Sequence, residues 1–186
     1  MTTGARRQPP RCRAPRLSLR DEAAERNIRC EAAARGVDPR RIVAAKPLPY
    51  AQHLARLGLA DLCLDAWPFN GGATTSDALF AGVPVVTCAG ETFAARMSGS
   101  LLRCAGLPEL ISYGLEEYER NALDLAQRPE RLADLRARLL HGRDDNPLFD
   151  SERFCRHLET AYLEMDARRQ RGEAPGSFKV DAIDSR

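Results

Sequence analysis

Leu62 to Thr87 of this chain read LCLDAWPFNGGATTSDALFAGVPVVT. Within these residues a short apolar run is followed by a loop of small and hydroxyl-bearing residues, a helical segment and a second apolar run. The pattern predicts strands at 62–64 and 84–87 with a helix at 74–81 between them. Strands joined through a helix pair in parallel, because a parallel connection needs a crossover. This stretch therefore predicts an α/β fold with a parallel sheet.

The same alternation of helices and strands extends along the chain in both directions. Helices are predicted at 21–35, 50–57 and 92–105, with strands at 17–19 and 42–44. Beyond Leu110 the pattern predicts only helices, at 115–127, 129–141 and 151–169, the last capped by Asp150 or Ser151. We therefore expect a doubly wound parallel sheet followed by C-terminal helices. The expected organisation is an ill-defined start at 1–16, one domain at 17–171 and a loose tail at 172–186.

Composition excludes several classes of function. The 186 residues, 44% of them hydrophobic, suffice for one α/β domain. The 28 basic and 26 acidic residues are mostly interspersed, which does not favour a nucleic-acid partner. No apolar run approaches the roughly 20 residues needed to span a bilayer, so we expect a soluble protein without a membrane partner. The six cysteines show no CxxC spacing, so we expect neither a metal site nor disulfides, and a cytoplasmic location.

The loop and the helix start that follows it have the chemistry of an anion site. Small residues at 71–73 let backbone N–H groups approach a phosphate, and the hydroxyls at 74–76 can donate further hydrogen bonds. The dipole of the helix favours an anion at its N-terminus. Asp77, about one turn into the helix, is suited to accept hydrogen bonds from ribose hydroxyls. The alternative is an ordinary turn in which a Thr or Ser caps the helix and Asp77 is a first-turn acid.

A longer pattern of residues at fixed spacings surrounds this loop. It consists of Arg41-Ile42-Val43, Pro49, His53-Leu54, Arg56, Leu59 to Asp65, Asn70-Gly71, Thr74, Asp77, Leu79, Gly82, Pro84, Val86-Thr87, Gly90-Glu91-Thr92, Ala95-Arg96, Ser100, Leu107 to Ile111 and Pro147 to Asp150. This pattern resembles the C-terminal catalytic lobe of protein O-linked N-acetylglucosamine transferases, the family that includes SPINDLY. The resemblance covers about residues 17–179.

The resemblance implies one half of a GT-B glycosyltransferase, in which two Rossmann-like domains face each other. In that family the C-terminal half binds UDP-N-acetylglucosamine without a metal or other cofactor, and a Ser or Thr hydroxyl of a protein acceptor attacks the anomeric carbon. The resemblance further implies nine residues that contact the UDP-sugar, and it assigns no catalytic residue. They are Leu48, His53 and Arg56 at the uracil, Tyr50 with a ring that can stack on the base or ribose, Gly72, Ala73, Thr74 and Thr75 at the diphosphate, and Asp77 at the ribose.

Three departures from the family pattern modify this expectation. Gly72-Ala73-Thr74 stand where the family commonly has His-Thr-Thr or Thr-Thr-Thr, so we expect fewer side-chain hydrogen bonds to the phosphates. Tyr50 stands where some members have a lysine. Tetratricopeptide repeats, a first Rossmann-like domain and a segment with a Gln and a Lys that grip the diphosphate are not found in this sequence. We therefore expect a truncated chain that needs a complementary N-terminal lobe to transfer the sugar.

The sequence leaves other functions open. The chain could be a noncatalytic nucleotide-binding module, or a fragment that acts only through interactions with other chains. The donor sugar is open as well, because relatives with similar motifs use GDP-fucose and would make this a protein O-fucosyltransferase type of lobe.

Overall fold

The computed structural model describes residues 16–17 and 21–182. The start expected at 1–16 therefore lies almost entirely outside the described residues, as do residues 18 and 19 of the strand predicted at 17–19. Twelve helices and strands follow one another in the described part. They are β1 (Arg16–Leu17), α1 (Glu22–Ala34), β2 (Val43–Ala44), α2 (Tyr50–Leu57), β3 (Cys63–Leu64), α3 (Ala73–Phe80), β4 (Val85–Cys88), α4 (Phe93–Cys104), β5 (Ile111–Ser112), α5 (Leu115–Gln127), α6 (Pro129–His141) and α7 (Ser151–Gln170). Short 3-10 helices form at Pro39–Arg41 and Pro108–Leu110.

All pairs of neighbouring strands in the described residues are parallel. β1 pairs with β2, and β3, β4 and β5 form a three-stranded sheet with β4 in the centre. In the register, Cys63 lies opposite Val85 and Thr87 opposite Ile111. The prediction of an α/β fold with a parallel sheet is confirmed. The hydrogen bonds divide the described strands into two separate groups, β1–β2 and β3–β4–β5. The sequence did not predict this division, because strands of two residues carry no signal for their pairing partner.

The central strand β4 is covered on both faces. All four of its residues are buried, and Val85, Val86 and Thr87 have no exposed surface. Successive side chains of a strand point to opposite faces of the sheet, so burial of consecutive residues requires cover on both sides. Helices α3, α4 and α5 all contact this strand. Burial of the whole strand therefore supports the doubly wound arrangement predicted from the sequence.

The hydrophobic core lies around β4 and extends into the C-terminal helices. Its buried members are Ala78, Leu79, Val83, Val85, Val86, Leu102, Leu107, Leu110, Ile111, Leu125, Leu135 and Leu139. Leucines of α5 and α6 thus belong to the same cluster as the strands and α3. Each Å² of apolar surface removed from water contributes about 25 cal/mol, so burial of these side chains stabilises the strands, α3 and the C-terminal helices together.

Helix ends follow the local signals in the sequence, whereas one strand does not. Asp21 caps α1 by accepting from the N–H of Ala24 at 2.7 Å, and Asp150 caps α7 by accepting from Arg153 at 2.8 Å. The prediction of an all-helical region beyond Leu110 is wrong, because β5 follows the 3-10 helix there. Two residues are too few to show the alternation that identifies a strand, and β5 exists because it pairs with β4.

The last described residues lie against α7. Residues 173–182 form neither helix nor strand, but the ring of Phe178 lies 4.6 Å from the guanidinium of Arg168. Helix α7 is long but strongly polar, with four arginines among its residues. Within the residues that the structure describes, no helix combines the length and apolarity needed to cross a membrane.

Candidate functional site

The N-terminus of α3 carries no side-chain cap. Its N-cap residue is Gly72, with φ −108° and ψ −89°, and Ser76 is the first residue whose N–H reaches the Gly72 carbonyl, at 3.0 Å. The N–H groups of residues 73–75 have no acceptor within the helix, as at every helix start. The alternative in which a Thr or Ser caps this helix is therefore wrong, since all three hydroxyl-bearing residues lie inside it.

Asp65, directly after β3, fixes the loop that leads to this helix. Its Oδ1 accepts from the N–H of Gly71 at 2.8 Å and from that of Ala66 at 3.0 Å, while its Oδ2 accepts from the hydroxyl of Thr87 at 2.6 Å. The carboxylate thereby joins the loop to the buried central strand. The N–H of Gly71 already donates to Asp65, so it is not free to bind a ligand. The N–H groups that can bind a ligand belong to the residues after Gly71.

Gly71 is required by close packing. A Cβ at this position would lie 2.6 Å from the hydroxyl oxygens of both Thr74 and Thr75. Such contacts are far inside van der Waals distance, so only glycine fits. At Gly72, in contrast, a Cβ would meet only Met97, at 3.7 Å. Packing therefore requires glycine at position 71, whereas position 72 has room for a Cβ.

The hydroxyl of Thr75 points into the protein. It lies 2.8 Å from the hydroxyl of Ser98 on α4, which in turn donates to the carbonyl of Gly71 at 2.8 Å. Thr75 and Ser98 are 3% and 0% exposed. The expected donor at residue 75 is therefore its backbone N–H, whereas Ala73 and Thr74 are exposed at the helix start.

Helix α2 is joined to the second turn of α3 by a hydrogen bond. The hydroxyl of Tyr50 donates to Oδ1 of Asp77 at 2.7 Å, and this bond raises the pKa of the tyrosine. Tyr50 is 65% exposed and Asp77 is half-buried. Two of the predicted site residues, separated by 27 positions in the sequence, are thus in direct contact.

The remaining predicted residues of α2 are tied to the segment before it. Arg56 donates to the carbonyl of Lys46 at 2.7 Å, and its guanidinium lies 3.3 Å from Nδ1 of His53. His53 and Arg56 are half-buried, and Leu48 is exposed in the segment between β2 and α2. Arg56 therefore holds this segment against the helix that carries the histidine.

The C-terminal end of helix α2 is held by a side chain of α6. Arg136 of α6 donates to the carbonyls of Gly58 and Ala60, at 2.5 and 3.0 Å. Gly58 is the C-cap of α2, where the final carbonyls lack intrahelical partners. The guanidinium therefore satisfies the C-cap carbonyl of Gly58 and fixes the end of α2 relative to α6.

Three supporting residues were not singled out as site residues from the sequence: Asp65, Asn70 and Ser98. Asn70 is 2% exposed and donates to the carbonyls of Ala66 at 3.0 Å and Cys88 at 3.3 Å. Its Oδ1 is buried without a hydrogen-bond partner among the described residues. Asp65 and Asn70 could have been found from their position after β3, because polar residues that follow the carboxyl end of a parallel strand commonly line a site.

No group of three or more His, Cys, Asp or Glu side chains that could hold a metal ion occurs in the described part of the chain. The arrangement of the described residues is instead one of backbone donors, a carboxylate and a tyrosine hydroxyl at the meeting point of α2 and α3. Such a site suits a ligand with an anionic part and neighbouring hydroxyl groups.

Comparison with known proteins decides the family. The sequence model of glycosyl transferase family 41 matches residues 17–158. This chain belongs to glycosyl transferase family 41. The resemblance found in the sequence is thereby confirmed, and the matched residues include β2 to β5 and both helices of the candidate site.

Individual members of the family agree with this assignment. The chain is 39% identical over 159 residues to the probable UDP-N-acetylglucosamine–peptide N-acetylglucosaminyltransferase SEC of Arabidopsis thaliana, covering 85% of this chain and 16% of that protein. It is 36% identical over 148 residues to the UDP-N-acetylglucosamine–peptide N-acetylglucosaminyltransferase of Caenorhabditis elegans, covering 80% of this chain and 13% of that protein. The chain thus spans about a sixth or less of these relatives.

A solved structure has the same fold. A mutant of Thermobaculum terrenum O-GlcNAc transferase superposes with a TM-score of 0.74 at 36% sequence identity. The match covers 81% of this chain and 29% of that one. The α/β architecture of the family 41 chain described here is therefore that of one part of a larger transferase.

Proposed function

We propose that this family 41 chain binds the donor of a protein O-N-acetylglucosaminyl transfer, UDP-N-acetylglucosamine, between α2 and the start of α3. The family, and relatives named as UDP-N-acetylglucosamine–peptide N-acetylglucosaminyltransferases, support the proposal. Because the chain matches only a small share of those relatives, we assign donor binding to it. Transfer to Ser or Thr of acceptor proteins is proposed for the chain together with a complementary N-terminal lobe.

The observation that carries the proposal is the uncapped N-terminus of α3. Three N–H groups at residues 73–75 and the positive end of the helix dipole offer a place for the diphosphate. In a partly buried setting the dipole contributes up to about 2 kcal/mol toward an anion. The same donors stabilise charge that develops on UDP as the glycosidic bond breaks, and this proposal requires no metal ion.

The nucleoside would lie toward α2. In the proposed complex, His53, Arg56 and the backbone at Leu48 contact the uracil, and Asp77 accepts from the ribose. His53 and Arg56 lie on the same helix as Tyr50, whose hydrogen bond to Asp77 joins α2 to α3. A ligand that contacts both helices would account for polar side chains from two separate segments meeting at one point.

We also propose a cytoplasmic location. All five described cysteines are free thiols, which is typical of proteins in a reducing compartment.

The proposal is tested by calorimetric titration of the purified chain with UDP and, separately, with GDP. We expect saturable binding of UDP with weaker binding of GDP. Replacing Asp77 by Ala should weaken UDP binding by about 10- to 100-fold, the effect of losing a hydrogen bond to a charged group. His53→Ala should weaken UDP binding and reduce the preference for UDP over GDP.

A matched variant controls for effects away from the site. His141→Ala removes an exposed histidine at the end of α6, whose Nδ1 lies 2.8 Å from its own helix carbonyl at Ala137. It should bind UDP like the unaltered chain. A folded chain that shows no UDP binding, or equal binding of UDP and GDP, would contradict the proposal.

A further inference from the structure

We propose that Ser98 of α4 is a positioning residue of the donor site, which acts on the bound diphosphate through the peptide group between Gly71 and Gly72. This inference rests on the proposed function, because it concerns the same helix start. It goes beyond that function by giving α4 a role in binding. It also places the side chain of Thr75 among the groups that orient the loop, not among those that contact the ligand.

The direction of two buried hydrogen bonds follows from what each group can donate. A carbonyl oxygen only accepts, so the single hydroxyl proton of Ser98 goes to the carbonyl of Gly71, at 2.8 Å. In the 2.8 Å contact between the hydroxyls of Thr75 and Ser98, the donor is therefore Thr75. Thr75, Ser98 and the Gly71 carbonyl form a hydroxyl relay, in which neighbouring hydrogen bonds polarise and strengthen one another.

The hydroxyl relay fixes the orientation of the next peptide group. The bond between Gly71 and Gly72 is trans, so its carbonyl and its N–H point in opposite directions. Ser98 is fully buried, and the carbonyl that it holds is therefore turned toward α4 and the interior. The N–H of Gly72 is turned the other way, and it has no acceptor among the described residues. We expect it to act as a fourth backbone donor beside those of residues 73–75.

The loop is held to α4 at two successive residues. The N–H of Asn70 donates to the carbonyl of Ala94 at 3.3 Å, and the carbonyl of Gly71 accepts from Ser98. The N–H of Gly71 is bound as well, by Asp65. Without the Ser98 hydroxyl, the Gly71 carbonyl would lie buried without this donor, which is unfavourable. Turning that carbonyl toward solvent would turn the N–H that follows it inward, away from the ligand.

The test compares UDP with uridine, which has the same nucleoside and no phosphate. Both are titrated into the unaltered chain and the Ser98→Ala variant, UDP by calorimetry and uridine by NMR chemical shifts. We expect Ser98→Ala to weaken UDP binding by about 10- to 100-fold, the effect of losing one hydrogen bond to a charged group. Uridine binding should change by less than 2-fold. A ratio of the two affinities that changes by less than 3-fold would overturn the positioning role.

Two substitutions of Thr75 test the direction of the relay. Thr75→Ser keeps the hydroxyl and should bind UDP within 2-fold of the unaltered chain. Thr75→Val keeps the shape and removes the proton that Ser98 accepts. Because Ser98 still donates to Gly71 in that variant, UDP binding should weaken less than in Ser98→Ala. A larger loss for Thr75→Val would show that the Thr75 hydroxyl contacts the diphosphate itself, and would overturn the relay.

A measurement on the unaltered chain does not depend on how any variant folds. UDP should strongly shift the NMR amide signal of Gly72 and should shift that of Gly71 less, since the N–H of Gly71 already donates to Asp65. Uridine should leave the Gly72 signal in place. An unshifted Gly72 signal in the UDP complex would contradict the orientation proposed for the peptide group.

Ser100→Ala is the matched control, because Ser100 is an exposed serine of the same helix. It should leave both affinities unchanged. The positioning role and the proposed function fail in different ways. If the unaltered chain is folded by circular dichroism and binds no UDP, both fall. If it binds UDP and Ser98→Ala weakens UDP and uridine alike, the positioning role falls and the donor site stands.

Discussion

Replacing Asp65 by Ala should strongly destabilise the domain, although Asp65 contacts no other charged group in the hydrogen bonds described. Its carboxylate accepts three hydrogen bonds, from the N–H groups of Ala66 and Gly71 and from the hydroxyl of Thr87. Thr87 is fully buried, so its hydroxyl would lose its partner where water cannot replace it, at a cost of about 1–3 kcal/mol. With about 1 kcal/mol for each N–H, we expect a loss of about 3–5 kcal/mol in the free energy of unfolding.

Asp65→Asn separates the hydrogen bonds from the charge. The amide oxygen can still accept from both N–H groups, and the hydroxyl of Thr87 can rotate to accept from the amide nitrogen. We expect this variant to lose about 1 kcal/mol. For a chain of this size, 1 kcal/mol corresponds to about 2–4 °C in Tm, so the Ala variant should melt roughly 6–20 °C lower and the Asn variant roughly 2–4 °C lower.

The assay is urea and thermal unfolding followed by circular dichroism, with UDP titration of each variant that folds. Asp134→Ala, an exposed acid on α6, serves as control and should change stability by less than about 0.5 kcal/mol. A loss below about 1 kcal/mol for Asp65→Ala would refute the view that this carboxylate fixes the loop. Because the loop ends at the N-cap of α3, we also expect Asp65→Ala to bind UDP more weakly than Asp65→Asn does.

Two further predictions concern stability. Gly82→Ala should lower the free energy of unfolding by about 2–4 kcal/mol, because Gly82 has φ +75° and the new Cβ would lie 2.5 Å from Cδ2 of Leu140. Gly106 is the control: its φ is also positive, at +74°, but a Cβ there would have no neighbour within 4 Å, so Gly106→Ala should lower the free energy of unfolding by only about 1 kcal/mol. Equal losses for the two variants in urea titrations would contradict the packing argument. Burial raises the pKa of Tyr118 to about 12 from about 10 in the unfolded chain. The unfolded chain then releases this proton at lower pH than the folded chain, so the free energy of unfolding should fall as the pH rises from about 10 to 12. Tyr118→Phe should make the free energy of unfolding less dependent on pH in this range. An unchanged pH dependence in the variant would contradict the prediction.

Local sequence determined most helices. Helices α2, α5 and α6 occupy the residues predicted for them, at Tyr50–Leu57, Leu115–Gln127 and Pro129–His141. Each is marked by signals within the segment itself, such as the proline at the first position of α6. The strand β5 was missed because its two residues carry no periodic signal and owe their conformation to the neighbouring strand.

The sequence also determined the family and the two segments that form the candidate site. Family membership depends on residue types at fixed spacings, and these are fully visible in the chain. The sequence further placed an anion site at the loop before α3, and an uncapped helix start is found there.

Only the tertiary structure decided which atoms remain open to a ligand. The N–H of Gly71 is taken by Asp65, the hydroxyl of Thr75 faces Ser98 in the interior, and the hydroxyl of Tyr50 is bound to Asp77. The last two contacts join residues 23 and 27 positions apart, on different helices. Side-chain hydrogen bonds of this kind depend on how helices pack around the sheet, and no local pattern in the sequence specifies that packing.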